Sequence, residues 1–161
     1  MAKNIVIDPL DKGSIGSAIQ ELKRYKEWIA AKENELRIRL ATMGATVASI
    51  QFSRAIYNGV NDVSVRVDNT GSVAVIYAEG KAVAFIEFGS GAKYGYGHPE
   101  AGKFGTGPGT YPGKGNWNKP NGWFYGHNKH SYGNPPAMAM YQAREQMVEQ
   151  LTQIARQVFA T

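Results

Sequence analysis

The sequence predicts a single α+β domain over residues 1–161, and three observations lead to that prediction. Apolar residues recur every three to four positions near the N-terminus, they alternate with polar residues between about 46 and 79, and helical spacing returns after residue 134. The predicted order is a long N-terminal helix, an antiparallel sheet of three to four strands, a long glycine- and aromatic-rich loop, and a C-terminal helix packed on the sheet. A chain of 161 residues is long enough to bury a core of its own.

The first helix is predicted over residues 17–43. Ser17 opens a capping-box pattern, and Gly44 can take the left-handed conformation that ends a helix. The apolar stripe of this helix comprises Ile19, Leu22, Tyr25, Ile29, Leu36, Leu40 and Met43. Trp28 and Ile38 lie off the stripe, where large apolar side chains indicate either tolerated exposure or a subunit contact.

Three strands are predicted at about 46–57, 61–68 and 72–79, where apolar and polar residues alternate with a period of two. The segments 58–59 and 69–71 contain Asn and Gly, which tolerate the positive φ angles of tight turns. The short turns between the strands predict an antiparallel meander.

Two further helices are predicted in the second half of the chain. Lys81–Phe88 is too short for periodicity to decide between strand and helix, and a short helix is favoured. A C-terminal helix begins near Asn134, because Pro135 and Pro136 are tolerated in a first helical turn, and it runs to about Phe159. Its apolar residues form two adjacent seams, typical of a helix laid on a sheet: Met140, Met147 and Ile154, and Tyr141, Val148, Leu151, Ala155 and Val158.

The composition narrows the class of protein and its expected compartment. The chain contains no cysteine, which excludes thiol catalysis, thiolate zinc sites and disulfide frameworks and fits a reducing cytoplasm. No apolar run is long enough for a signal peptide or a membrane span, so a soluble protein is expected. The net charge of +5 is compatible with nucleic-acid binding, although dedicated binders concentrate Arg and Lys more densely.

The segment 89–134 is expected to carry the functional surface. Its 46 residues include no Val, Ile, Leu or Met but hold 13 of the 19 glycines and half of the 18 aromatics, so it cannot build an aliphatic core. Five lysines against the single acid Glu100 place four of the five net positive charges there. Loops of this length are most often binding loops or segments that order against a partner.

The expected interface residues of this loop are eight of its nine aromatics and two of its five lysines. They are Tyr94, Tyr96, Phe104, Tyr111, Trp117, Trp123, Phe124 and Tyr125, with Lys114 and Lys119. This mixture suits stacking on single-stranded nucleic acid or on sugar rings, and it equally suits a protein interface, which is ranked first. Residues 115–125 are expected to close a small hairpin around the turn at 120–122.

The chemical motifs of the sequence give little support to catalysis. The glycines between 105 and 115 lack the spacing of a phosphate-binding or dinucleotide-binding loop. His127 and His130, with His98 as a third nitrogen ligand, have a spacing that suits zinc, but surface or interface packing is favoured and no metal or cofactor is assigned. Glu87 is expected to accept hydrogen bonds from the adjacent glycine-rich turn rather than to act as an acid or base.

Three motifs in the second half of the chain resemble those of one bacteriophage family. They are Phe85-Ile-Glu-Phe-Gly-Ser-Gly91, His98-Pro-Glu100 and Gly133-Asn-Pro-Pro-Ala-Met-Ala-Met-Tyr141. In order and spacing they resemble the head–tail joining or tail-completion proteins of long-tailed bacteriophages, in which a Glu-Phe-Gly-Thr/Ser-Gly element precedes a variable loop and a Gly-x-Pro-x-x-Pro-like helix start. Ser90 stands where threonine is commoner, and Ala139-Met140 where the family often has a proline followed by an aromatic or methionine.

The resemblance implies a structural protein without catalytic residues. Such a protein assembles as a homo-oligomeric ring at the neck between capsid and tail, contacts other neck and tail proteins, and resides in the virion after assembly in the bacterial cytoplasm. Weak non-specific contact with phage DNA is expected, and contact with a membrane is not. The residues expected to shape the backbone of the motifs are Glu87, Phe88, Gly89, Gly91, Gly133 and Pro135.

Two other functions stay open on the residues alone. A nucleic-acid-binding module would use the basic aromatic loop 89–134 and would bind with a steep salt dependence. A loop-borne hydrolase would depend on Glu87, His127 or His130 for its activity.

Overall fold

The computed structural model describes residues 5–55, 61–104, 120–125 and 127–160. Along the chain the elements are α1 (Lys12–Arg54), β1 (Ser64–Asp68), β2 (Val75–Glu79), α2 (Val83–Phe88), a 3-10 helix (Ala101–Phe104), β3 (Trp123–Tyr125), β4 (Lys129–Ser131) and α3 (Ala139–Ala160). The predicted α+β class, with long N-terminal and C-terminal helices and an antiparallel sheet, is confirmed. No helix among these residues is both long enough and apolar enough to cross a membrane.

Helix α1 is 43 residues long, which corresponds to about 64 Å of helix. It begins earlier than predicted because Asp11 caps it: the Asp11 Oδ1 atom accepts a hydrogen bond of 2.8 Å from the Gly13 N–H. The predicted end at Gly44 is wrong, since the helix continues through this residue. A Cβ at Gly44 would lie 2.6 Å from Met147 Sδ and 2.7 Å from Ile76 Cδ1, so the glycine serves close packing against α3 and β2.

The strand predicted at 46–57 is also wrong, because residues up to Arg54 belong to α1. The apolar residues Ala48, Ile50 and Phe52 alternate with polar neighbours, which is the pattern of a half-buried strand. In the helix, Ala48 and Phe52 are four residues apart and share the buried face, whereas Ile50 is exposed. Residues 56 and 57 of the predicted strand lie outside the described residues.

The remaining two strands form a hairpin near the predicted positions. Strands β1 and β2 pair antiparallel, with Ser64 opposite Glu79 and Val67 opposite Ile76. Both strands are shorter than predicted. Because the first predicted strand is helical, the described residues form two sheets of two strands, β1–β2 and β3–β4, instead of one sheet of three to four strands.

The core lies where α1, α2 and the start of α3 meet, and small residues dominate it. The buried cluster consists of Ala48, Phe52, Ala82, Ile86, Ala139 and Ala143. Alanines let the helix backbones approach closely, while the larger Phe52 and Ile86 fill the space between them. Val65 and Ala78 of the hairpin border the same cluster, so α3 and the hairpin share one core.

Helix α2 confirms the short helix favoured for Lys81–Phe88. The C-terminal helix is also confirmed, but it starts at Ala139 rather than near Asn134. The N–H groups just before Ala139 bond to α2: the Ala137 N–H donates to the Ile86 carbonyl at 2.7 Å, and the Met138 N–H donates to the Glu87 carbonyl at 3.2 Å. This connection ties the end of α2 to the start of α3.

Asp62 joins the hairpin to the segment that leads into α2, and its substitution gives a pH-dependent prediction. Its carboxylate accepts hydrogen bonds from the N–H groups of Lys81, at 2.8 Å, and Ala82, at 3.1 Å, and these bonds hold the pKa of Asp62 below its ordinary value.

Stabilisation by a group with a lowered pKa is complete at neutral pH and is lost as the pH falls through that lowered pKa. We therefore expect Asp62→Asn to lower the urea midpoint at neutral pH and to have less effect in acid. Equal losses at both pH values would contradict this.

Candidate assembly interface

Glu87 connects α2 to the N-terminus of α3. Its side chain is buried, and its two carboxylate oxygens accept hydrogen bonds from the backbone N–H groups of Met140, at 2.9 Å, and Tyr141, at 3.0 Å. These N–H groups belong to the first helical turn and lack partners within the helix. A carboxylate at this position also interacts favourably with the positive end of the helix dipole. Glu87 is therefore a long-range cap of α3.

His98 completes the hydrogen bonding around this carboxylate. The distance from His98 Nε2 to Glu87 Oε1 is 3.3 Å, and His98 Nδ1 accepts the Glu100 N–H at 3.2 Å. Because Nδ1 acts as an acceptor, the hydrogen bonds assign the proton to Nε2, which donates to the carboxylate. The imidazole also packs against the Phe88 ring, with centroids 4.5 Å apart, and edge-on to Tyr141.

This arrangement corrects the expectation for Glu87. The donors to its carboxylate are the N–H groups at the start of α3 and the His98 ring, rather than the adjacent glycine-rich turn. Glu87 and His98 are 11 positions apart, and nothing in the sequence between them indicates their contact. Within the part of the chain that the structure describes, no group of three or more His, Asp or Glu side chains is placed to hold a metal ion.

A backbone bridge joins the two ends of the loop 89–134. Ser90 and Asn134 exchange both backbone hydrogen bonds, at 2.9 and 3.0 Å, in an isolated antiparallel bridge. The Ser90 hydroxyl lies 2.5 Å from Asn134 Oδ1 and donates to it. Glycine is required beside the bridge, because Gly133 has φ +94° and a Cβ there would overlap the Ser90 carbonyl oxygen. The loop therefore leaves and re-enters the body at one point.

The motif residues expected to shape the backbone lie around this bridge and the Glu87 cap. Gly89 has φ +77°, and a Cβ there would lie 2.8 Å from the backbone nitrogen of Pro136. Gly91 has φ +80° and passes close to the Tyr132 carbonyl. Phe88 covers His98, while Pro135 follows the bridging residue directly. The six residues thus surround the junction between α2, the loop and α3.

The end of the loop carries a row of rings in edge-to-face contact, which lie on the β3–β4 hairpin and on the residue that follows it. Phe124 packs edge-on to His130, with ring centroids 4.6 Å apart, and His130 packs in the same way on Tyr132, at 4.5 Å. Lys93 Nζ lies 4.9 Å from the centre of the Tyr132 ring and 5.2 Å from that of Tyr94. We call Phe124, His130 and Tyr132 the aromatic ladder. Phe124 is 72% exposed, so one end of the ladder faces solvent.

The hairpin that carries the ladder is not the hairpin that the sequence predicted over residues 115–125. Strand β3 pairs with the downstream strand β4, with Phe124 opposite His130. The upstream half of the predicted hairpin, residues 115–119, lies outside the described residues.

The structure describes the side chains of some of the predicted interface residues but not of all of them. Tyr94, Tyr96, Phe104 and Phe124 are exposed, whereas Trp123 is half-buried. Phe104 also packs against Phe88, with ring centroids 5.4 Å apart. The predicted residues outside the described part are Tyr111, Lys114, Trp117, Lys119 and the side chain of Tyr125.

An open cleft of about 410 Å³ lies beside the Glu87–His98 pair. Apolar side chains that include Val83, Phe104 and Met140 line most of it. Glu100 also lines the cleft, and its carboxylate pairs with Lys103 and Arg144 at 2.9 and 2.8 Å; these cations hold the pKa of Glu100 below its ordinary value. The cleft suits an apolar side chain of a protein partner more than a charged ligand.

Comparisons with known proteins give no match to this chain: no family model, no curated protein and no solved structure matches it.

Proposed function

We propose that this chain is a structural subunit of a long-tailed bacteriophage or prophage virion, which joins head and tail as a component of a neck or tail-completion ring. In this proposal copies of the chain assemble with one another and with other neck and tail proteins. The helical body sets the spacing between subunits, and the loop 89–134 contacts a neighbour or the next ring.

The main support is the spatial grouping of the three motifs that carry the resemblance. Glu87 of the first motif accepts hydrogen bonds from His98 of the second motif and from Met140 and Tyr141 of the third. The Ser90–Asn134 bridge links the first and third motifs again. Residues up to 54 positions apart thus meet in one hydrogen-bonded junction, so the three motifs form a single structural unit.

The bonding of Glu87 and His98 supports a structural role over a catalytic one. Both carboxylate oxygens of Glu87 are bound to helix N–H groups, and both ring nitrogens of His98 have partners. A general acid or base must reach a substrate proton, and these side chains are already engaged with the protein. The hydrolase hypothesis then depends on His127 and His130, of which His130 packs within the aromatic ladder.

The aromatic ladder supports the proposal that the loop 89–134 contacts other subunits during assembly. Exposed aromatic rings held on a short hairpin present a large apolar surface with little conformational freedom, which is the usual composition of the centre of a protein interface. The Ser90–Asn134 bridge fixes where this surface leaves the body, so every copy would present it in the same place. Repetition of one fixed contact generates a closed ring when the rotation between copies closes.

The proposal is tested by electron microscopy of negatively stained protein. We expect closed annular particles of uniform diameter for the natural chain. Phe124→Asp, which places a charge at the exposed end of the ladder, is expected to reduce the annular fraction at least tenfold, roughly the effect of 1.4 kcal/mol or more per contact. Val73→Asp is the control, since Val73 is 60% exposed in the β1–β2 connection and outside the loop.

Two results of this experiment would contradict part or all of the proposal. Annular particles that persist in Phe124→Asp would leave the ring intact and would exclude the ladder as its contact. A complete lack of particles in the natural chain, at concentrations at which it stays folded, would argue against self-assembly.

The ladder also supports a second candidate function, the binding of single-stranded nucleic acid. The rings of the ladder, with Lys93 over Tyr132 and Lys129 on β4, combine the aromatic surface and the positive charge that such proteins use to bind bases. Fluorescence anisotropy with a labelled single-stranded oligonucleotide tests this function across a salt series. Tight binding that falls steeply with salt and is lost in Phe124→Ala would favour it over the structural role, whereas weak binding unaffected by that substitution fits DNA passing through a ring.

A further inference from the structure

The open cleft beside the Glu87–His98 pair is lined by one face of each of two helices. The apolar side chains that each helix presents to it are one to five residues apart, which places them on one face: Val83, Ala84 and Phe88 on α2, and Met140 and Tyr141 on α3. Phe104 lines the cleft from the 3-10 helix. The cleft is therefore built from elements that the Glu87 cap holds together.

The size and the lining of the cleft suit an aromatic ring. Its volume is about 410 Å³. An apolar cavity of about 150 Å³ already holds a benzene-sized ring. The rings of Phe88, Phe104 and Tyr141 line the cleft, and aromatic rings pack favourably on one another edge to face or offset. The cleft can thus receive one aromatic side chain and part of the segment that carries it.

The charged side chains that line the cleft already have partners within the chain. Both carboxylate oxygens of Glu87 bond to N–H groups of α3, and Glu100 pairs with Arg144 at 2.8 Å. Covering polar groups that keep their hydrogen bonds costs far less than covering unpaired ones. The cleft therefore favours an apolar occupant that covers these groups without competing for them.

Phe124 is the side chain of this protein that fits such a site. It is 72% exposed, more than any other aromatic side chain in the part of the chain that the structure describes. Within its own copy it packs on His130, at 4.6 Å, and does not line the cleft. It has no hydroxyl group, so its burial leaves no polar atom to satisfy. Phe124 and the cleft are thus both open in a single copy, and a second copy can bring them together.

The charges around the two surfaces favour their encounter. Lys129 lies on the hairpin that carries the ladder, and Glu100 is the single acid of the loop 89–134. The described side chains that line the cleft include two carboxylates, Glu87 and Glu100, against the one guanidinium of Arg144. The next ion-pair partners outside the cleft, one lysine and one glutamate, balance each other. A basic hairpin therefore approaches a cleft with an excess of negative charge, which favours association.

We propose that Phe124, at the exposed end of the aromatic ladder of one copy, inserts into the cleft beside the Glu87–His98 pair of the next copy. This inference rests on the proposed function and deepens it, because it names the surface that receives the loop. The contact joins two different surfaces, so each copy gives one ladder and receives another. Such head-to-tail contacts produce a ring when the rotation between copies closes, whereas a contact between two identical surfaces ends at a dimer.

The size of this contact indicates how the ring depends on it. A phenylalanine side chain buries at most about 250 Å², well below the roughly 800 Å² per partner of a standard interface. Phe124 is therefore the anchor of the contact, and the mouth of the cleft around it supplies the remaining area. A closed ring gives every copy two such contacts, so the loss of either surface disperses the ring.

Two substitutions in the full chain separate the two surfaces. Ala84→Trp fills the cleft from its α2 wall and keeps the ladder, whereas Phe124→Asp disables the ladder and keeps the cleft. We expect each variant alone to lose annular particles at least roughly tenfold. An equimolar mixture is expected to form mixed pairs and nothing larger, because one competent ladder and one competent cleft remain. Native mass spectrometry measures this, since a mixed pair differs in mass from a pair of like copies.

Ala31→Trp is the matched control for the added bulk, because Ala31 is exposed on α1 and does not line the cleft. It is expected to keep its annular particles. Phe104→Asp is a second cleft variant, which places a charge on a lining residue that is 60% exposed, and it is expected to behave as Ala84→Trp does. The circular dichroism signal of each variant, measured beforehand, ensures that folded proteins are compared.

The outcomes separate this contact from the ring itself. Annular particles that persist in Ala84→Trp and Phe104→Asp would overturn the cleft as the receiving surface and leave the proposed ring intact. A lack of mixed pairs, at concentrations above those at which the natural chain forms rings, would also overturn it, as would pairs of like copies in Ala84→Trp. Mixed pairs without annular particles in the natural chain would support the contact and contradict the ring. A lack of both would contradict both.

Discussion

Replacement of Gly133 by alanine is expected to destabilise the protein by about 3–5 kcal/mol. The φ angle of +94° at this position lies in the left-handed region, where a side chain costs about 1–2 kcal/mol. The added Cβ would also overlap the Ser90 carbonyl oxygen, so the two backbone hydrogen bonds to Asn134 would have to lengthen or break. Each such bond contributes about 1 kcal/mol.

Gly71→Ala provides the matched control for this substitution. Gly71 has a similar φ of +78° in the β1–β2 connection, but a Cβ there meets no atom within 4 Å. This variant is expected to lose about 1–2 kcal/mol, the conformational cost alone. The free energies of unfolding of both variants follow from urea titrations monitored by circular dichroism. Equal losses would show that closing the loop at Ser90 contributes nothing to stability.

Glu87→Gln is expected to destabilise the protein by about 2–4 kcal/mol. The carboxylate accepts hydrogen bonds from the N–H groups of Met140 and Tyr141 and from His98. Glutamine keeps the size of the side chain, but its single oxygen cannot serve all three donors, and its NH₂ group faces one of them. A buried donor left without a partner costs about 1–3 kcal/mol, and the favourable interaction with the helix dipole is lost as well.

The control for this charge removal is Glu79→Gln. Glu79 pairs with Arg66 at 2.8 Å on the exposed face of the hairpin, where ion pairs contribute little. We expect a clearly smaller loss of stability than for Glu87→Gln. If the two substitutions cost the same, the capping role assigned to Glu87 would be wrong.

The sequence predicted the fold class, the β1–β2 hairpin, α2 and the C-terminal helix, but not the extent of α1 or the pairing of β3 with β4. The alternation at Ala48, Ile50 and Phe52 reads equally as a strand, and the packing of Ala48 and Phe52 in the core with α2 and α3 decides for a helix. Gly44 looked like a helix terminator, yet it is a site of close approach by Met147 and Ile76. Both errors arise because local patterns do not encode which surface a distant element will cover.

The sequence indicated which residues form the candidate site but not which of them are in contact. The motifs around Glu87 and Gly133 were singled out, and Glu87 was expected to be structural. Its hydrogen bonds to His98 and to Tyr141 connect residues 11 and 54 positions away, which no local spacing indicates.

The solution mass of the purified chain, measured by light scattering across a concentration series with and without added salt, tests the central claim of self-assembly most directly. We predict a discrete multiple of the 17.6 kDa chain, or a mass that climbs toward one with concentration. A strict monomer at every concentration and salt condition would contradict the ring.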